Sequence, residues 1–145
     1  MNRSITVAVV ALGLALVGLL IYNNGGDRRS WIGYYEGEGM RVNSGAGLNT
    51  GDTAINKVKV ELRPDGTFLL EETGIPKEGV WRVEDGKALL KIKTVLGRPI
   101  EDRGDGAVKM NEELELKRID KDTITYFDPV WDEEPLQLRR TQRLL

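Results

Sequence analysis

In Lys57-Val58-Lys59-Val60-Glu61-Leu62-Arg63-Pro64-Asp65-Gly66-Thr67-Phe68-Leu69-Leu70, apolar residues at 58, 60 and 62 alternate with charged ones. A period of two places Val58, Val60 and Leu62 on one face of a strand and the charges on the other, the pattern of a half-buried antiparallel strand. Pro64-Asp65-Gly66 then predicts a tight turn, because proline presets φ and glycine accepts a positive φ. Phe68 and Leu70 continue the apolar face on the returning strand. The unit is a β-hairpin.

Working outward, the same period recurs along the chain. Trp31, Gly33, Tyr35 and Gly37 share one face of a first strand. A strand over Gly79–Glu84 runs into Asp85-Gly86, a strong hairpin signal. Ala88, Leu90 and Ile92 alternate with Lys87, Lys91 and Lys93, and Leu114 and Leu116 with Glu113, Glu115 and Lys117. Asp120-Lys121-Asp122 turns the chain into Thr123–Phe127, and Leu136 and Leu138 form a last alternating face. These make about eight short strands in sequential hairpins, with no amphipathic helix of useful length. They predict an all-β, antiparallel up-and-down meander that closes on itself, with a β-sandwich as the competing arrangement.

The N-terminal residues differ in kind. Ile5–Tyr22 reads ITVAVVALGLALVGLLIY, without charge, and 11 of its 18 residues are Leu, Ile or Val. As a helix it would span roughly 27 Å, close to the hydrocarbon thickness of a bilayer. It is apolar on all sides, unlike a helix packed on a domain core. The run is longer than the apolar region of most cleaved signal peptides, and Tyr22-Asn23-Asn24-Gly25 is a poor cleavage site. We expect residues 1–22 to be a transmembrane anchor, with a signal peptide as the alternative. Residues 23–30 are expected to be a linker and 31–145 the β domain. The short tail before the anchor predicts a single-pass membrane protein with its C-terminal domain outside the cytoplasm, or a secreted one if the segment is cleaved.

Composition narrows the function. The formal net charge is −2, with no basic excess of the kind that binds nucleic acid. The 145 residues contain no Cys and no His. Thiolate chemistry, Cys-based zinc, a lipidated cysteine and a Ser-His-Asp triad are thereby removed. Carboxylate pairs remain, but no pair stands out, and most acidic residues fall on outward strand faces. We expect no enzyme activity, cofactor or bound metal.

Trp31 opening the first strand, Leu62-Arg63-Pro64-Asp65-Gly66-Thr67-Phe68, Glu78-Gly79-Val80-Trp81, and Leu138-Arg139-Arg140 closing the last strand resemble a bacterial lipocalin-like (calycin-type) envelope domain over about residues 31–140. The resemblance implies an eight-stranded barrel in which Trp31 packs under Arg139 or Arg140. Gly33 follows the tryptophan here, whereas lipocalins place that glycine before it.

Several stretches invite a site. Loop Arg41–Asn56, with its glycines, suits a lid at a barrel opening or a plain connection. Glu101-Asp102-Arg103-Gly104-Asp105-Gly106 with Glu112 approximates a calcium loop but puts Arg103 where a ligand is needed. Arg103-Gly104-Asp105 also spells an adhesion tripeptide, which chance in a turn-rich stretch explains better. Trp131 is expected to cap the core. For an interior ligand the candidates are Trp81, Tyr126, Phe68, Leu70 and Leu90. Two readings follow: a membrane-tethered barrel holding a small apolar ligand, or an envelope interaction domain with a filled core and a protein partner.

Overall fold

A computed structural model describes residues 28–42, 53–102, 111–129, 132 and 134–142. The anchor segment Ile5–Tyr22 lies outside them, and among the described residues no helix is long and apolar enough to cross a membrane. A helical turn at residues 28–31 leads into β1 (Gly33–Val42), β2 (Thr53–Leu62), β3 (Thr67–Glu72), β4 (Ile75–Glu84) and β5 (Lys87–Val95). The two-residue β6 (Arg98–Pro99), a 3-10 turn at Ile100–Asp102, β7 (Glu113–Arg118), β8 (Thr123–Phe127) and β9 (Leu136–Thr141) follow.

Apart from β6, which folds back on the end of β5, every strand pairs with its neighbours in the chain. β4 also pairs with β5 and β9 with β1, so the sheet closes into an eight-stranded antiparallel barrel. The sandwich alternative is therefore not adopted. The inward faces are those the alternation predicts: Val58, Val60 and Leu62 from β2, Phe68 and Leu70 from β3, Trp81 from β4, Leu90 and Ile92 from β5. Leu114, Leu116, Ile124, Tyr126 and Leu138 complete one continuous core.

The closing seam depends on glycine. Tyr34, Tyr35 and Glu36 pair with Thr141, Arg140 and Arg139. Beyond them β9 presses on β1, and a Cβ on Gly37 would lie 2.3 Å from the Gln137 carbonyl oxygen. A Cβ on Gly39 would meet Leu136 at 2.5 Å. The bare face of β1 makes the room that Leu136 and Leu138 occupy.

The sealed end of the barrel carries residues 28–31 and the turns at 63–66, 85–86 and 119–122. At the far end are the Thr73-Gly74 and Leu96-Gly97 turns and the strand ends flanking residues 43–52 and 103–110. Trp31 is not part of β1, as the sequence suggested, but belongs to the helical turn, where it is 1 % exposed and plugs the sealed end. Its cation is neither of the expected arginines. Arg118 of β7 lies over it, 4.2 Å from the ring centroid. Arg140 instead stacks 4.9 Å from the centroid of Tyr35 and donates to the Ile32 carbonyl at 2.8 Å and the Ser30 carbonyl at 2.7 Å. Arg139 points outward. The difference is one of parity: Leu138 faces in and Arg139 out, so Arg140 passes inward at the barrel's edge.

Residues 28–30, expected in the linker, pack on the barrel, with Arg28 lying 5.1 Å from the centroid of Trp81. The loop expected over Arg41–Asn56 is shorter: β1 extends to Val42 and β2 begins at Thr53. The residues between lie outside those described.

Candidate functional site

The apolar interior ends, toward the far end, in a layer of polar side chains. Period two carries the inward face of β3 from Phe68 and Leu70 to Glu72, and that of β8 from Ile124 and Tyr126 to Asp128. Lys77 shares the inward face of β4 with Trp81, and Asn56 that of β2 with Val58. All four are buried, at 0–5 % exposure. Charges so placed must compensate one another, because low-dielectric surroundings penalise any left alone.

They do so through one network. The Lys77 ammonium pairs with a Glu72 carboxylate oxygen, and Asp128 Oδ2 lies 3.9 Å from Lys77 Nζ. The Tyr126 hydroxyl donates to the other Glu72 oxygen at 2.5 Å. Asn111 donates to Asp128 Oδ1 at 3.0 Å. The Asp128 and Asp132 segments bond reciprocally, with the Asp128 N–H donating to Asp132 Oδ2 at 2.9 Å and the Asp132 N–H to the Asp128 carbonyl at 2.8 Å. Thr73 donates its hydroxyl to Asn56 Oδ1 at 2.9 Å. Burial raises the pKa of Tyr126 well above the usual phenol value, and the Glu72 charge raises it further. The phenol stays neutral and acts as a donor.

Sequence reading assigned most carboxylates to outward faces and missed this layer. The signal was available, since Glu72 and Asp128 sit two residues beyond the last apolar residue of each inward face.

The five candidate ligand residues do not gather round one opening. Phe68 and Trp81 lie toward the sealed end, where the Trp81 indole donates to the Arg63 carbonyl at 3.0 Å. Leu90 stands opposite Trp81 on β5, Leu70 stands opposite Lys77 of the polar layer, and Tyr126 donates to Glu72. Phe68, Leu70, Leu90 and Tyr126 are 0 % exposed and Trp81 4 %. A void large enough for water would leave accessible surface on its walls. Phe68, Leu70, Leu90 and Tyr126 border none.

A concavity of about 420 Å³ lies instead on the outer wall of β1, β2 and β3, bounded by Tyr34, Glu36, Lys59, Glu61, Leu69 and Glu71. Opposite charges alternate across the strands there, with Glu36 beside Lys59 and Lys59 beside Glu71. Lys59 Nζ is 3.2 Å from Glu71 Oε1, a bond that raises the ammonium's pKa above its ordinary value. Exposed pairs of this kind contribute little to stability.

Glu101 and Asp102 are exposed in the 3-10 turn, and the rest of the calcium-like stretch through residue 110, including Arg103-Gly104-Asp105, lies outside the described residues, as does Trp131. Among the described residues no cluster of acidic side chains could hold a metal ion. Compared with protein-family models, curated proteins and solved structures, the chain matches none.

Proposed function

We propose that this chain is a membrane-tethered, non-catalytic, lipocalin-like domain of the cell envelope that works through its outer surface, with a protein partner. The reading that places a small apolar ligand inside the barrel ranks second. The carrying observation is the filled interior, where Phe68, Leu70, Leu90 and Tyr126 have no accessible surface. A pocket for a small apolar molecule ordinarily needs about 300 Å³ or more of concave space.

The non-catalytic part of the reading is supported by the chemistry at hand. Glu72, Lys77 and Asp128 are the buried ionisable side chains among the described residues, apart from tyrosine, and they are engaged with one another. Tethering is supported by the sequence of Ile5–Tyr22, long and apolar enough for a bilayer.

Native mass spectrometry of the full-length, detergent-extracted protein tests the reading. After detergent release the bare polypeptide mass is expected. One retained lipid per chain would overturn the filled-barrel reading in favour of an interior ligand.

A further inference from the structure

The chain enters the barrel at the sealed end. Arg28 lies against Trp81 there, and its guanidinium reaches toward the Pro64 carbonyl at 3.5 Å. Six Cα steps separate Tyr22, the last residue of the apolar segment, from Arg28. Fully extended they cover at most about 20 Å. The ten-residue β2 is about 30 Å long at about 3.4 Å per residue, or about 25 Å along the axis at a usual barrel tilt. A connection that short can seat the sealed end on a bilayer. It cannot climb the wall to turn the far end toward the same bilayer.

Charge favours one seating over a sideways one. Around Ser30 the sealed end carries exposed Arg29 and Lys121 and half-buried Arg118 and Arg140, against exposed Asp120 and Asp122. Asp122 is 3.5 Å from Arg140, and Asp120 accepts the Asp122 N–H at 2.8 Å. Arg118 donates to the Ser30 hydroxyl at 2.8 Å, which joins the β7–β8 turn to the chain entry. Ile119 stands 52 % exposed at the tip of that turn. In the remaining sealed-end turns Arg63 pairs with Glu61 and Lys87 with Glu115, while Asp65 accepts from Thr67. Cations around a protruding aliphatic residue suit a headgroup layer of negative surface potential.

We propose that the sealed end, formed by residues 28–31 and the turn at 119–122, is a bilayer-facing surface that rests on anionic phospholipid headgroups and directs the far end outward. This rests on the anchor reading of Ile5–Tyr22. Because the chain has no Cys, single labelling sites are available. Lys121→Cys marks the sealed end and Glu101→Cys the far end. Each full-length variant carries a donor fluorophore in vesicles of phosphatidylcholine and phosphatidylglycerol with a headgroup-bound acceptor. Energy transfer at least twofold more efficient from position 121 than from 101 is expected, with the gap shrinking by half or more in 0.5 M salt. Equal transfer, greater transfer from 101, or a gap indifferent to salt would overturn the headgroup seating while the anchor reading stands. Protein that fails to float with the vesicles after an alkaline wash would overturn both.

Discussion

Arg118 on β7 holds its guanidinium carbon 4.2 Å from the centroid of the Trp31 ring, tying the chain's entry to the far side of the sheet. The ring seals the core below it, and the cation closes the ring from solvent. Trp31→Ala should cost about 3–5 kcal/mol, because it opens a large cavity at 1 % exposure. Arg118→Met retains an apolar stem and loses the cation, which should cost about 0.5–2 kcal/mol. Urea titrations of both single variants and the double variant measure the coupling. An Arg118→Met midpoint equal to that of the parent would refute the contact's contribution.

Adjacent arginines on β9 should behave oppositely. Arg140 donates from two nitrogens to the Ile32 and Ser30 carbonyls and stacks on Tyr35. A lysine has neither the planar fork nor the stacking face. Arg140→Lys should therefore destabilise by about 2 kcal/mol, given the usual worth of bonds to a charged donor. Arg139→Lys, on the exposed face, should stay within about 0.5 kcal/mol. Chemical denaturation of the pair settles which arginine holds the sealed end.

Much of this fold was legible because alternation is a local property. Val58-Val60-Leu62 and Phe68-Leu70 gave the face, and Pro64-Asp65-Gly66 and Asp85-Gly86 the hairpins. Two other turns, Thr73-Gly74 and Leu96-Gly97, were not singled out. Their first residues take φ of 49° and 53°, a conformation that threonine and leucine do not advertise. The choice of Arg118 over Arg139 or Arg140 for Trp31 depends on how the barrel closes, which no local pattern encodes. The polar layer was missed for a different reason. A charged residue at the end of an apolar face reads as the strand's exit into solvent, and only the neighbouring strands show that Glu72, Lys77 and Asp128 are covered.

Within that layer the partners are unequal. Lys77→Met removes the ammonium that pairs with Glu72 and lies 3.9 Å from Asp128, a loss of about 3–5 kcal/mol for a broken buried pair. Glu72→Gln keeps an acceptor for the Tyr126 hydroxyl and leaves Lys77 beside Asp128. It should cost less, about 1–2 kcal/mol. Thermal and urea unfolding of the two variants give the order directly, and Glu72→Gln proving the worse would contradict it.

Alkaline pH should act through the buried phenols. Burial raises both Tyr35 and Tyr126, and Glu72 adds to the effect at Tyr126 while Arg140 and Arg118 oppose it at Tyr35. In the unfolded chain each phenol loses its proton near 10.0. The folded chain keeps both protons above that pH, so the unfolded state gains and stability falls as pH rises from about 10. The slope should approach about 1.4 kcal/mol per pH unit for each phenol still protonated in the fold. Phenolate absorbance during a titration should show Tyr126 ionising only as the protein unfolds, and Tyr35 ionising above the ordinary phenol range. Full ionisation of all four tyrosines before unfolding would be incompatible with the two being buried.

Two glycine substitutions separate close approach from backbone conformation. At Gly86, φ is +72° and nothing lies within 4 Å of an added Cβ, so Gly86→Ala should cost only the left-handed strain, about 1–2 kcal/mol. At Gly37 the added methyl would sit 2.3 Å from the Gln137 carbonyl oxygen and 2.8 Å from Leu138 Cδ2. The Leu138 side chain can rotate away. The carbonyl cannot, because β9 is fixed to β8 and to β1 at Tyr34, Tyr35 and Glu36. Gly37→Ala should thus exceed the Gly86→Ala loss, at about 3 kcal/mol or somewhat more for an overpacked site. Hydrogen exchange should quicken along β9 first, since the seam gives way before the hairpins. Leu138→Ala introduced alongside should not restore stability, because it removes the yielding neighbour and leaves the rigid one in place.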